Sequence, residues 1–304
     1  MRTPALLLAG HGTKDADGRA EFLAFADVVR SLAPELPIAA GFIELCGPAV
    51  PHAVADLVAR GAHDIVVVPV MLLAAGHTKN DIPALLARER LVHPGVRFRY
   101  ARDLGIQPQL LEVLEERLRR AIASGGRADT WVLLVGRGSS DPDANSDVFK
   151  IARLLHEGRP YAGVEVCFIG ITRPNLTEGL ERCLRLGARR VAVVPYFLFT
   201  GVLERRIRTL SLAFGDAHPD VEVRVAGYLG PDERIAQLVL ERYREALEGE
   251  ARMNCDVCIH RVALPGFEHR VGAPATPHYH PDLDHVHSHP PFHEHDGGDR
   301  AACP

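Results

Sequence analysis

Three residues of metal-ligand type follow short apolar runs in the first third of the chain. They are His11, Glu44 and His77, and the runs that precede them cover residues 6–9, 38–43 and 65–73. Runs of this kind are typical of buried parallel strands. In an open α/β sheet, ligands bind outside the carboxyl ends of the strands. Two imidazoles and a carboxylate suit Co, Fe, Ni or Zn and leave coordination positions open. The pattern predicts a metal site for catalysis or transfer.

The chain contains two copies of one sequence pattern, offset by 126 residues. Matched pairs include residues 7–12 with 133–138, Asp15 with Asp141, Asp17 with Asp143, and residues 67–69 with 193–195. At the positions of His11, Glu44 and His77 the second copy has Arg137, Gly170 and Leu203. Because the second copy keeps the pattern without these ligands, folding does not require them. The repeat therefore favours one metal site, in the first copy.

Each copy alternates strand-like and helix-like segments. We predict strands near 4–9, 37–43, 64–71, 96–101, 130–135, 164–170, 190–197 and 221–226. We predict helices near 18–32, 49–60, 80–91, 108–123, 144–157, 175–186, 203–213 and 232–248. Apolar strands separated by amphipathic helices indicate βαβ units and parallel sheets covered on both faces. The predicted α/β domains span residues 1–123 and 129–248, and we expect residues 249–304 to form a largely disordered Cys- and His-rich tail.

Composition and charge exclude several classes of protein. The chain has 304 residues, 47% of them hydrophobic, and a formal net charge of -4. That charge argues against a nucleic-acid partner. No apolar run approaches the roughly 20 residues that a membrane span needs, so we expect no membrane partner. The start lacks a signal-peptide layout, and the expected location is cytoplasmic.

Three segments resemble the class II tetrapyrrole chelatases, above all the long form of the sirohydrochlorin cobaltochelatase/ferrochelatase family. They are Gly10-His11-Gly12, Phe42-Ile43-Glu44 and the run from Pro69 to Pro83 that contains Gly76-His77 and Asp81-Ile82-Pro83. The resemblance implies two tandem flavodoxin-like (chelatase-type) domains with the tetrapyrrole in the cleft between them. It implies that His11, Glu44 and His77 are the metal-binding and catalytic residues. In family terms, sirohydrochlorin and Co(II) or Fe(II) give the metallated ring and two protons.

Other residues are assigned from the chemistry of that reaction. No G-x-x-x-x-G-K-[ST] sequence occurs, so ATP-driven insertion is not supported. Because the substrate carries many carboxylates, we predict contacts from Arg137, Ser139 and Ser140, against the alternative of a solvated loop. Asp81 is interpreted as a helix cap or as a partner of a metal ligand.

The tail has its own candidate sites. Cys255 and Cys258 form a lone C-x-x-C that is open to zinc, iron–sulfur or redox interpretations. The resemblance favours an iron–sulfur cluster, but two cysteines cannot complete its ligation. The tail histidines are His278, His280, His285, His287, His289, His293 and His295. Their pattern favours loose binding of Co, Ni or Zn, as a metal reservoir, over a solvated spacer.

These observations predict a sirohydrochlorin cobaltochelatase that works without ATP in cobalamin biosynthesis. The His-rich tail and the long form favour cobalt. The alternative is a ferrochelatase in siroheme biosynthesis, since the site residues alone do not select the metal. A rival of another class is a metal-storage protein or metallochaperone, which would explain the tail but not the site on the strand ends. The sequence leaves a homodimer open.

Overall fold

Two parallel four-stranded sheets, each with helices on both faces, make up the described part of the protein. The computed structural model describes residues 3–122 and 126–249. The first half contains β1 (Ala5–Gly10), α1 (Ala16–Leu32), β2 (Ile38–Phe42), α2 (Val50–Ala59), β3 (Asp64–Pro69), α3 (Ile82–Val92), β4 (Arg97–Tyr100) and α4 (Pro108–Ala121). The second contains β5 (Trp131–Gly136), α5 (Pro142–His156), β6 (Gly163–Phe168), α6 (Leu176–Arg185), β7 (Arg190–Pro195), α7 (Val202–Ala217), β8 (Glu222–Val225) and α8 (Glu233–Glu248). The predicted fold class is confirmed.

The two sheets have the same strand order and register. The orders are β2-β1-β3-β4 and β6-β5-β7-β8. Leu6 lies opposite Ile38 in the first sheet, and Val132 lies opposite Val164 in the second, 126 residues further on in each strand. The chain direction across the sheet reverses between β1 and β3, and at such a switch point a crevice forms outside the strand ends. The predicted metal ligands follow β1, β2 and β3.

The apolar core joins the two sheets. Leu6 and Leu8 on one face of β1 belong to the same buried cluster as Val132 and Leu134 on β5. The opposite faces, which include Leu7 in the first sheet, form a separate core in each half. The fourth helix of each half explains the shared cluster. Helix α8 packs against α1 and β3 of the first half, while α4 packs against α5 and β7 of the second. The two halves thus exchange their last helices.

Aspartate caps fix where α1 and α5 begin. The Asp15 side chain accepts a hydrogen bond from the Gly18 N–H, and the Asp141 side chain accepts one from the Asp143 N–H. Such caps satisfy amide groups that have no partner within the helix. The turns that follow β1 and β5 therefore have defined ends, which matters because each turn contributes to the cleft.

The cysteine and histidine sites predicted for the tail lie outside the described residues. They are Cys255, Cys258, His278, His280, His285, His287, His289, His293 and His295. Within residues 3–122 and 126–249, every helix is too short or too polar to cross a membrane.

Candidate metal centre

Continuous backbone pairing brings His11 and Glu44 together. Beyond the end of β2, the Ile43 N–H donates to the Gly10 carbonyl over 2.9 Å, and the Glu44 N–H donates to the His11 carbonyl over 3.1 Å. The ladder between β1 and β2 therefore continues into the loops that carry both side chains. This pairing fixes the position of one predicted ligand relative to the other before any ion binds.

The turn at Glu44 is tight and strained. Among the described non-glycine residues, only Leu45 has a positive φ, at 67°. The Cys46 N–H donates to the Glu44 carbonyl over 2.8 Å, which closes a three-residue turn around Leu45. Gly12 has a φ of 103°, and a Cβ there would lie 1.8 Å from the Glu44 carbonyl oxygen. A left-handed leucine costs about 1–3 kcal/mol, and such strain clusters at functional sites.

His77 reaches the site from a π-helical turn, not directly from a strand end. Strand β3 ends at Pro69, two residues before the predicted end at 71, and the π turn spans His77–Asp81 before α3. The Ile82 N–H donates to the His77 carbonyl, five residues earlier. Single π turns of this kind often occur at functional sites. Hydrophobic periodicity does not separate such a turn from the start of a helix, so the sequence did not reveal it.

The three predicted ligands form one cluster. His11, Glu44 and His77 each offer a ligand atom, and these atoms all lie within 4.8 Å of one another. The His11 and His77 Nε2 atoms are 2.9 Å apart, and His11 Nε2 is 3.5 Å from Glu44 Oε1. Two nitrogens that each lie about 2.1 Å from one ion, at roughly a right angle, are separated by about 3 Å. The spacing of the two imidazoles fits a shared ion.

The hydrogen bonds at the two Nδ1 atoms determine whether each Nε2 atom has a lone pair that can bind a metal ion. His11 Nδ1 is 2.9 Å from the Gly12 carbonyl oxygen, which can only accept. His77 Nδ1 is 2.6 Å from Asp81 Oδ2, so it donates to a carboxylate. With both protons on Nδ1, the neutral rings direct two Nε2 lone pairs toward each other. A cation between them relieves that repulsion, and a carboxylate behind a metal-binding imidazole fixes its tautomer and the orientation of its ring.

Arg137 of the second half faces the cluster across the cleft. Burial lowers the pKa of its guanidinium, while attraction to the Glu44 carboxylate acts in the opposite direction. Arg137 occupies the position that His11 has in the first half. At the position of Glu44 stands Gly170, where an added Cβ would meet the Arg137 carbonyl oxygen at 2.5 Å. The second half thus presents a positive charge to the site and has no room for a second carboxylate.

The serines predicted to contact substrate lie in the same turn as Arg137. The Ser139 hydroxyl accepts a hydrogen bond from the Asp141 N–H, and the Ser139 N–H donates to Asn145 Oδ1. Ser139 therefore has a structural role that the sequence analysis did not anticipate. Ser140 is exposed at the end of the turn. Substrate contacts by Arg137, Ser139 and Ser140 stay predictions.

Comparison with known proteins shows the family to which the chain belongs. The family model described as CbiX matches residues 5–121 and 131–246. The chain belongs to the CbiX family. A relative named sirohydrochlorin cobaltochelatase, from Priestia megaterium, is 41% identical over 263 residues, which cover 86% of this chain and 85% of that protein. A sirohydrochlorin ferrochelatase from Bacillus subtilis (strain 168) is 32% identical over 257 residues, covering 83% of this chain and 95% of that protein. The resemblance to long-form class II chelatases is confirmed.

Solved structures of CbiX relatives have the same architecture. SirB from Bacillus subtilis with Fe3+ has a TM-score of 0.72 and 31% identity, covering 83% of this chain and 99% of SirB. The sirohydrochlorin chelatase SirB from Bacillus subtilis subspecies spizizenii, in complex with cobalt, has a TM-score of 0.67 and 31% identity, covering 81% of this chain and 96% of that one. These relatives were therefore seen with two different metals.

One cluster beside the centre was missed by sequence reasoning. Lys79, in the turn that carries His77, forms ion pairs with Asp141 and Asp143 of the second half. The repeat contained a signal for it, because Lys79 matches Arg205 and both are basic. That signal is interpretable only once the cleft shows which residues face each other.

Proposed function

We propose that this protein is a sirohydrochlorin cobaltochelatase, which inserts Co(II) into sirohydrochlorin and releases two protons. The observation that carries the proposal is the cluster of His11, Glu44 and His77 at the switch point of the first sheet, with Arg137 opposite. Support comes from the 41% identity to a cobaltochelatase over most of both chains.

The ligands have distinct tasks in this reaction. His11 Nε2 and His77 Nε2 bind the incoming ion, and Glu44 balances part of its charge. Three protein ligands leave positions for the ring nitrogens, so the ion can pass to the macrocycle. As the ion leaves, Glu44 Oε1 and the imidazole Nε2 atoms can accept the two N–H protons of the ring. When substrate is bound, Arg137 would face a carboxylate of the substrate in addition to Glu44.

Iron is the alternative substrate metal. The ferrochelatase from Bacillus subtilis (strain 168) is 32% identical over 257 residues, which cover 83% of this chain. Imidazole and carboxylate ligands bind both Co(II) and Fe(II). The affinity of a given ligand set for divalent metals follows the Irving–Williams order, so the three ligands alone do not select one of these metals. Cobalt is preferred here because the more similar of these two relatives is named for it.

Anaerobic metallation tests the proposal and separates the metals. The purified chain is incubated with sirohydrochlorin and Co(II), Fe(II) or Ni(II) without nucleotide, and the ring absorption is followed. We expect kcat/KM to be highest with Co(II). A higher value with Fe(II) would make the protein a ferrochelatase. No acceleration over the protein-free reaction with any metal would overturn the chelatase proposal and favour metal storage.

The tail sites enter only as further predictions. An iron–sulfur cluster at Cys255 and Cys258, and a metal reservoir on the tail histidines, rest on the sequence and on the resemblance. Both residues of the C-x-x-C lie outside the described part of the chain.

A further inference from the structure

Lys79 is a buried cation that links the His77 turn to the second half of the molecule. Its Nζ lies 2.8 Å from Asp141 Oδ2 and 2.9 Å from Asp143 Oδ2. The side chains of Lys79 and Asp141 are 1% and 2% exposed, and that of Asp143 is 35% exposed. We call these three residues the Lys79 cluster. Removing charges from water is costly, and the cost is offset only while each buried charge stays paired. The ion pairs therefore hold the Lys79 side chain and its partners in fixed positions.

The repeat places a second, more exposed cluster on the other side of the cleft. Arg205, at the position that matches Lys79, forms ion pairs with Asp15 and Asp17 of the first half. We call these three residues the Arg205 cluster. The Arg205 side chain is 48% exposed and that of Asp17 is 81% exposed. The two clusters thus relate the halves by an approximate two-fold arrangement, but only the Lys79 cluster is buried and lies beside a metal ligand.

Holding the halves together does not require the Lys79 cluster. The two sheets share one apolar core, and α4 and α8 each pack on the opposite half. Burial of apolar surface on that scale contributes far more to association of the halves than one ion pair does. Lys79 therefore acts on the turn that contains it, which also carries His77.

The turn that carries His77 is held at several points. The Thr78 carbonyl accepts a hydrogen bond from the Tyr100 hydroxyl over 2.7 Å, and Asp81 accepts one from His77 Nδ1. Both partners belong to the first half. Lys79, two residues after His77, connects the same turn to the N-terminus of α5 in the second half. Asp141 is also the cap of that helix, so the attachment point is rigid.

We infer that Lys79 is a positioning residue: its ion pairs across the cleft hold His77 where its Nε2 meets His11. This inference rests on the proposed function of the His11, Glu44 and His77 cluster. It differs from a purely structural role because it predicts weaker metal binding without a matching change in the affinity for the tetrapyrrole.

The test compares two matched double variants of the full chain. Lys79→Met with Asp141→Asn removes the buried cation together with its most buried partner, and Asn is also a good helix cap. Arg205→Met with Asp15→Asn makes the equivalent change in the Arg205 cluster. Co(II) alone is titrated into each protein and followed by its visible absorption. The same titration of His77→Ala supplies the contribution of all other histidines, including those of the tail.

We expect the Lys79 double variant to bind Co(II) about tenfold more weakly, the range found when the partners of metal-binding histidines are removed. The Arg205 double variant should bind it like the wild type. In steady-state assays, KM for sirohydrochlorin should stay within about twofold in both. If the two double variants bind Co(II) with the same affinity, whether unchanged from the wild type or reduced, the inference is overturned.

If the Lys79 double variant does not fold, Asp143→Asn replaces it, because it removes one partner and keeps Asp141. A threefold weakening relative to Asp17→Asn would then support the inference, and equal affinities would overturn it. If the wild type itself shows no Co(II) binding beyond that of His77→Ala, the proposed function fails first. Wild-type binding with an unaffected Lys79 variant contradicts only the positioning role.

Discussion

At the scale of single residues, the centre depends on two hydrogen bonds that face away from the ion. The Gly12 carbonyl and the Asp81 carboxylate each accept a hydrogen bond from an Nδ1–H group, so His11 and His77 direct their Nε2 atoms inward. The second half shows that neither histidine is needed for folding, because Arg137 and Leu203 stand in their places within the same sheet order. Metal binding and folding can therefore be separated by substitution at this centre.

Replacing either histidine should abolish metal insertion without loss of the fold. We expect His11→Ala and His77→Ala to lower kcat/KM for Co(II) insertion by at least 100-fold, because two of the three ligand atoms cannot hold the ion. Circular dichroism should be unchanged. His52→Ala, at an exposed position on α2, is the control and should behave like the wild type. Near-normal turnover in a well-folded His11→Ala or His77→Ala protein would remove these residues from the reaction.

Replacing Asp81 should weaken metal binding while keeping all three ligands. In Asp81→Asn the new side-chain carbonyl can still accept from His77 Nδ1, but it carries no charge, and the amide group can also turn toward the ring. We expect this variant to reduce Co(II) affinity by roughly 10–100-fold, the range seen for partners of metal-binding histidines. The measurement is Co(II) titration with and without the competing ligand citrate. An affinity equal to that of the wild type would show that the Asp81 carboxylate does not tune His77.

At the scale of elements, the sequence carried most of the information about where strands and helices lie. The apolar runs and the repeat predicted the order of elements in both halves, and they placed His11 and Glu44 beside neighbouring strand ends. They did not predict the π turn at His77, because its hydrogen bonds leave no periodic signal. Nor did they reveal that α4 and α8 exchange places. Amphipathicity shows that a helix buries one face, but not which sheet covers it.

Gly12, in the loop after β1, contacts the turn that carries Glu44, whereas the equivalent Gly138 in the second half does not. Ala at Gly12 would place a Cβ 1.8 Å from the Glu44 carbonyl oxygen, whereas Ala at Gly138 would meet Thr172 Oγ1 at 3.0 Å. Both glycines have positive φ, so each substitution should cost about 1–2 kcal/mol of stability. Only Gly12→Ala displaces the turn that carries Glu44. We expect Co(II) affinity to fall at least tenfold in Gly12→Ala and to be unchanged in Gly138→Ala.

Urea denaturation and Co(II) titration of the same samples check this pair. The two variants should lose comparable stability, with Gly12→Ala losing somewhat more because of the direct overlap. A normal Co(II) affinity in Gly12→Ala would mean that Glu44 can move without effect, and would argue against its role as a ligand.

At the scale of the whole molecule, the exchanged helix α8 brings buried polar groups into the joint between the halves. The Arg242 side chain donates to the carbonyl oxygens of Asp103 and Leu104, over 3.1 Å and 2.9 Å. Asp103 itself is 1% exposed, and its Oδ2 has no hydrogen-bond partner among the described residues. Which charges meet in this joint depends on the helix exchange, so no pattern within one half of the sequence could predict them.

The buried Asp103 carboxyl should make stability depend on pH. Its pKa is raised to about 6, chiefly by burial and also by the nearby Asp147, while a hydrogen bond from its own backbone N–H and the charges of Arg102 and Arg242 oppose the shift. The folded state thus holds the proton more tightly than the unfolded chain, whose aspartates titrate near 3.9. A raised carboxyl pKa means that the wild type loses stability as the pH rises from about 4 to above 6.

Asp103→Asn removes this ionisation and leaves the backbone carbonyl that Arg242 binds. At pH 8 we expect the variant to be more stable than the wild type, by at most about 2–3 kcal/mol for a shift of roughly two pKa units. At pH 4 the gain should fall well below 1 kcal/mol, because Asp103 is then protonated in the folded wild type. Urea denaturation at both pH values measures the difference, and Asp220→Asn, at an exposed position, controls for the loss of a charge. A gain that is the same at pH 4 and pH 8 would show that Asp103 does not titrate between these values in the folded protein.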